Sequence, residues 1–358
     1  MQGVASDCYN GDMKRTLLTL LLGLYLFTPP LYALADDHAV VLMYHRFAED
    51  RFPSTSVRLE QFKAHLDYLE ENDYNLWPLS RLAKALEKEQ AIPPRTVVIT
   101  VDDAYRSVKE IAWPLLRERG WPMTVFVATG ASNEGRSDVM SWEQMRKMQA
   151  GGLVEFANHS VNHPHLPRRQ QGEDEQQRAE RIRAEIVQAQ EDLRQQLGVE
   201  PPMLFAYPYG EYDGTVAGIV EALGYMAFGQ HSGVIGRHSD RRALPRYAMA
   251  ESWATMERFT LRVRSLPMPL DDFAPWEPRI EQNNPPQLTL RFQRSGVAAH
   301  TNCFLGDGTA LKVIERSATQ LVVQSPRELG PGRSRYNCTA PAGEGRFYWF
   351  SQQWLNID

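Results

Sequence analysis

Short β-rich runs alternate with helix-forming stretches through the first two-thirds of this chain, and that alternation restricts the fold more than any other feature. The runs at 39–43, 97–101 and 124–128 are built from Val, Ile, Leu, Met, Phe, Thr and Ala, while 59–71, 80–89 and 142–150 read as helices. Strands and helices in this order build a parallel sheet, so the expected fold is an α/β sheet or barrel.

The pattern changes once, near 270–286, where Pro275, Pro278, Pro285 and Pro286 interrupt a polar stretch holding Asn283 and Asn284. We place a domain boundary there: an α/β domain over 36–270, a Pro-rich linker over 271–286 and an accessory domain over 287–358. The runs at 288–292, 311–315, 321–324 and 346–350 are short, β-prone and separated by turn residues, which predicts a small all-β sandwich. Within the α/β part, 168–196 is rich in Arg, Glu and Gln. Ile182, Ile186, Ala189, Leu193 and Leu197 recur there at helical spacing. A long amphipathic helix with a solvated face accounts for the charge without a functional role.

Lys14 and Arg15 precede the apolar run 17–27, and Ala33-Leu34-Ala35 follows it. A basic start, a short apolar stretch and small residues at −3 and −1 predict a signal peptide over 1–35, with Asp36 first in the exported protein and no membrane span after it, an uncleaved anchor being the other reading. Met13 stands directly before the basic pair, so 1–12 can be an upstream start-site artefact. Export to the periplasm or beyond is expected. Cys8 would be removed with the leader, leaving Cys303 and Cys338 to form one disulfide in an oxidising compartment. A net charge of −5 with no long basic run argues against a nucleic-acid partner.

The chemistry gathers at strand ends. Val97-Val98-Ile99-Thr100-Val101 terminates in Asp102 and Asp103. Two acids at a buried strand end are costly unless a cation compensates, although a helix N-cap would explain one of them. His159 and His163 stand four apart, so on a helical turn both imidazoles would share a face and could hold one ion; His165 could equally be a surface residue. With Asp103 they make a set of two histidines and one carboxylate that leaves coordination positions open. Tyr207-Pro208-Tyr209-Gly210 follows an apolar run, and His45 closes the strand Val40-Val41-Leu42-Met43-Tyr44, again where α/β active sites collect.

These residues resemble the polysaccharide deacetylases of carbohydrate esterase family 4, with their NodB-homology domain. Thr100-Val101-Asp102-Asp103 matches the family's TFDD motif, His159-Ser160-Val161-Asn162-His163 its HSxxH motif, and Ala206-Tyr207-Pro208-Tyr209 part of its RxPY motif. Met43-Tyr44-His45 near the start is similar to the permuted branch containing poly-N-acetylglucosamine deacetylases. The resemblance covers about 38–265 and implies a distorted (β/α)7 barrel that removes acetyl groups from an N-acetylhexosamine polysaccharide with one divalent metal ion, zinc being the expected one. It implies that Asp103, His159 and His163 hold the metal, that Asp102 is the general base and His45 the general acid, and that the Tyr209 backbone N–H helps hold the oxyanion. Ala206 stands where the family carries Arg to orient the catalytic Asp; Arg246 is our candidate replacement, a surface arginine being the other reading. Two further readings use the same residues: hydrolysis of O-acetyl esters, or a non-catalytic carbohydrate-binding export or matrix factor. In the accessory domain, Phe347-Tyr348-Trp349-Phe350 and Trp354 could stack on sugars, against the stronger expectation that alternate aromatics fill the sandwich core.

Overall fold

The structure, a computed structural model, describes residues 37–357, so the expected signal peptide and cleavage point lie outside the described residues. Six strands run parallel and adjacent in chain order: β1 (His38–Tyr44), β2 (Thr96–Asp102), β3 (Met123–Val127), β4 (Val154–Asn158), β5 (Leu204–Ala206) and β6 (Met226–Phe228). A seventh, β7 (Tyr247–Ala248), lies parallel to β1 on its other side, with Leu42 opposite Tyr247. Three residues earlier Leu244 makes a parallel bridge to Phe228. Segment 244–248 therefore joins the first and last strands, and the sheet curls into the distorted barrel.

Period-two alternation sorts the strand residues between two cores. Val40, Leu42, Tyr44, Ile99 and Val101 pack with helix residues such as Phe62, Leu66 and Met145, whereas Ala39, Val41, Val98, Phe126 and Phe228 form a second cluster. Each fully buried Val, Leu or Phe contributes roughly 1.5–3 kcal/mol.

Helix Leu59–Glu71 matches its expected limits, with Phe62, His65, Leu66 and Leu69 on the buried face. The long helix runs Glu175–Leu197, starting seven residues later than expected. Asp174 sets the start, because its side chain accepts from the Gln177 N–H while the Gln177 side chain accepts from the Asp174 N–H, a reciprocal cap that leaves 168–173 outside. Gly198 ends it at φ 71°, where a side chain would be strained. Its charged residues are not all solvated: Arg178 is buried and paired with Asp213.

The C-terminal part is a two-sheet β-sandwich. One sheet orders Leu266–Pro267, Arg346–Asn356, Gly332–Gly343 and Asn302–Leu305; the other orders Leu270–Ala274, Gln287–Phe292, Gln320–Gln324 and Lys312–Arg316. The expected linker over 271–286 is corrected at its start, since Leu270–Ala274 is a strand hydrogen-bonded to Gln287–Phe292. Cys303 and Cys338 sit directly opposite each other on neighbouring strands and are joined by a disulfide.

Three aromatics of the C-terminal strand are engaged in packing, while Phe347–Phe350 stay half-buried. Phe350 meets Phe273 at 4.9 Å, Trp354 meets Tyr336 at 5.4 Å in the core, and Trp349 meets barrel Tyr247 at 5.4 Å. Pairing of Leu266–Pro267 with Tyr348 and Trp349 continues that contact, and barrel and sandwich belong to one compact unit. Among the described residues no helix is long and apolar enough to cross a membrane.

Candidate metal centre

The adjacent acids part company at the end of β2. Asp102 is the last strand residue and fully buried, whereas Asp103 and Ala104 take φ values of 71° and 52°, turning the chain sharply. Asp102 meets Arg246, whose Nη1 donates to Oδ1 at 2.7 Å and Nη2 to Oδ2 at 2.8 Å. Arg246 is itself fully buried, with Nη1 also donating to Thr100 Oγ1 (3.2 Å) and Nε to the Gly229 carbonyl (3.0 Å). A bidentate guanidinium fixes the orientation of this carboxylate, although Ala206 supplies none. Burial alone would raise the Asp102 carboxyl; Arg246, with His159 and His45, more than offsets it and holds it down at about 2.

Asp103 turns toward the histidines. His159 Nε2 and His163 Nε2 each lie 3.5 Å from Asp103 Oδ1. The donor atoms of these three residues lie within 4.8 Å of one another. The expected helical turn is absent: His159 follows β4 directly, and the chain loops through Ser160 (φ 67°) and His163 (φ 53°). A loop brings the rings together because it is tied from several sides. The Ser160 N–H donates to Asn158 Oδ1 (2.9 Å) and the His163 N–H to Ser160 Oγ (3.0 Å). Glu185 of the long helix accepts from the Val161 and Asn162 N–H groups at 3.0 and 2.9 Å. That helix therefore supports the site, contrary to the expectation of a merely solvated face. Gly130 contributes closeness: a Cβ there would come within 2.9 Å of the Val161 carbonyl oxygen.

The donor set fits a cation. His159 Nδ1 donates to the Ala206 carbonyl at 2.7 Å, which leaves Nε2 carrying the lone pair, and that buried Nε2 has no hydrogen-bond partner. His163 is pushed down to about 4, chiefly by burial and then by His159, against the pull of Asp103, so its ring is neutral near pH 7. Two imidazoles and a carboxylate, with one buried nitrogen unpartnered, match what a divalent ion requires.

His45 stands across the cleft with Nε2 4.0 Å from Asp102 Oδ2. Burial lowers its pKa, while Asp102 and Asp103 pull it back. Tyr209 sits at φ 57°, its ring 4.4 Å from that of His163 and stacked at 3.9 Å on His165. His165 is held by Glu211 (2.7 Å) and does not join the triad. A cleft of about 670 Å³ is lined by His45, Asp103, His163 and Tyr209, and by Arg333 and Arg335 of the sandwich. Sequence reasoning missed the two arginines; their only signal was two cations two apart on a strand, which says which sheet face they share and nothing of what that face meets.

Residues 89–228 match the family described as polysaccharide deacetylase. The chain is 26% identical over 237 residues to a poly-β-1,6-N-acetyl-D-glucosamine N-deacetylase of Escherichia coli K12, an alignment covering 57% of this chain and 35% of that protein. The chain thus spans about a third of the length of this curated relative. Among solved structures it is similar to the Streptococcus pyogenes deacetylase PplD in complex with acetate (TM-score 0.56, 22% identity, 63% of this chain and 98% of that one). IcaB from Ammonifex degensii is similar to the same degree (TM-score 0.55, 24% identity, 64% and 98%). The α/β part of this chain thus has the fold of these deacetylases, and residues 89–228 within it are similar to the polysaccharide deacetylase family.

Proposed function

We propose that this protein is an exported, metal-dependent hydrolase that removes N-acetyl groups from an N-acetylhexosamine polysaccharide, a β-1,6-linked N-acetylglucosamine polymer being the first candidate. The observation that carries the reading is the meeting, in one cleft, of Asp103, His159 and His163 with an Arg246-clamped Asp102 and with His45. Asp103, His159 and His163 would hold the ion, zinc being our assignment. Such an ion acts as a Lewis acid and makes water nucleophilic near neutral pH.

The remaining roles fall to the chain's own groups. Asp102, kept ionised by Arg246, accepts the proton that the attacking water gives up. His45, in its protonated form, delivers a proton to the departing nitrogen as the C–N bond breaks, so that water and amide become acetate and amine. The Tyr209 N–H is assigned to the oxygen that gains charge. Its residue is held in place by the hydrogen bond from the Gly210 N–H to the Tyr207 carbonyl (2.7 Å) and by Arg333 on the Tyr209 carbonyl. The apolar run 17–27 supports export, and the pairing of residues 266–274 with sandwich strands supports ending the deacetylase part near residue 265.

Acetate release from partially acetylated glycans tests the proposal. Release from β-1,6-linked N-acetylglucosamine oligomers, abolished by a chelator and restored by zinc, is the expected result. Release only from O-acetylated glycans would replace it with the ester reading.

A further inference from the structure

Arg333 and Arg335 occupy alternate positions on the sandwich strand Gly332–Gly343, so both leave the same face, and both line the cleft that holds the metal triad. Their hydrogen bonds reach neutral oxygens of the barrel only. Arg333 Nη1 donates to the Tyr209 carbonyl and to Gln230 Oε1 (3.0 Å), and Arg335 Nη1 to the Gln230 carbonyl (3.2 Å). Neither forms an ion pair among the described residues. Glu211, the acid whose charge reaches Arg333, is taken up by His165 at 2.7 Å and Arg168 at 3.7 Å. The acids that line the cleft, Asp103 and Glu134, form no ion pair with the arginines. Two like charges thus share one strand face at the cleft with no ion pair of their own among the described residues, an arrangement that an anion would relieve.

We infer that Arg333 and Arg335 form an anion subsite, through which the sandwich selects N-acetylhexosamine glycans that carry an acidic substituent, a carboxylate or a phosphate. The inference rests on the deacetylase reading of the cleft and deepens it. Guanidinium forks match planar carboxylates and phosphates bidentately, and hydrogen bonds to charged groups are the strong ones.

The test compares three probes on the full chain: neutral N-acetylglucosamine oligomers, oligomers alternating N-acetylglucosamine with glucuronate, and phosphate-bearing N-acetylglucosamine oligomers. Acetate release and calorimetric binding are both recorded. One acidic oligomer should show a KM about 10–100-fold below that of the neutral one, and whichever shows it identifies the substituent. The ratio should shrink as salt rises, collapse toward one in Arg333→Gln and Arg335→Gln, and survive largely in Arg335→Lys. Equal KM values for neutral and acidic oligomers overturn the inference. So does an equal loss on all probes in the Gln variants, which would make the pair a clamp on Gln230. If no oligomer releases acetate, the deacetylase reading fails, and calorimetry still decides the subsite: Arg-dependent binding of an acidic oligomer upholds it, and indifference to charge rejects it.

Discussion

Replacing Arg246 with Met keeps most of the side-chain volume and removes the guanidinium that clamps Asp102. The carboxylate it leaves is fully buried and loses two bonds of 2.7 and 2.8 Å. Stranding one partner of a buried pair costs about 3–5 kcal/mol, whereas removing both charges together is much cheaper. The two single variants, Arg246→Met and Asp102→Asn, should therefore each destabilise the protein by more than their share. The double variant should cost at least about 2 kcal/mol less than the sum. Urea unfolding of all four proteins at pH 7 measures the cycle, urea being preferable because it adds no ionic strength. Metal content and acetate release on the same samples complete it: Arg246→Met should keep its metal and lose about 10–100-fold in turnover, since it orients a group without touching the reacting atoms. Additivity within about 0.5 kcal/mol, together with unchanged turnover, would refute the claim that Arg246 stands in for the arginine missing at Ala206.

The adjacent acids should separate cleanly: Asp103→Asn lowers metal occupancy and activity together, while Asp102→Asn keeps its metal and loses about 10²–10⁴-fold in rate; metal analysis beside acetate release exposes any reversal of roles. Cys303→Ser should destabilise the protein by about 4 kcal/mol for a separation of 35 residues, read as a lowered urea midpoint for the sandwich. His65 is buried and neutral, accepting at Nδ1 from Tyr44 (3.0 Å) and donating from Nε2 to the Ala254 carbonyl (2.8 Å), and burial pushes it down to about 4. Because its folded pKa lies below the ordinary 6.5, the unfolded chain takes up the proton first as pH falls. The stability advantage of the wild type over His65→Gln should be full above 6.5 and shrink by roughly 3 kcal/mol toward pH 4; a constant gap across that range contradicts it.

How much was legible in the sequence follows from how local each signal is. The barrel strands and helix Leu59–Glu71 announce themselves by periodicity, and Asp103, His159 and His163 by motif spacing. The expected helical turn for the histidines failed because i, i+4 spacing says only that two residues can converge. Here left-handed residues and Glu185 achieve it without a helix. Arg246 could be named from the gap at Ala206 but not told from a surface arginine, since its pairing with Asp102 spans 144 positions. Strands Asn302–Leu305 and Gly332–Gly343 went unread although they hold both cysteines. Gly332–Gly343 mixes Arg, Ser, Asn and Pro on a half-exposed strand, so composition hides it. The same strand places Arg333 and Arg335 at the cleft, a contact between parts of the chain that no local pattern encodes.

The central claim is that one divalent ion on Asp103, His159 and His163 drives deacetylation. The direct measurement titrates zinc into chelator-stripped protein while acetate release from N-acetylglucosamine oligomers is followed. The account predicts activity rising from near zero to a plateau at one ion per chain, with Asp103→Asn remaining inactive throughout. Full activity in the stripped protein, or a plateau that Asp103→Asn reaches equally well, would contradict it.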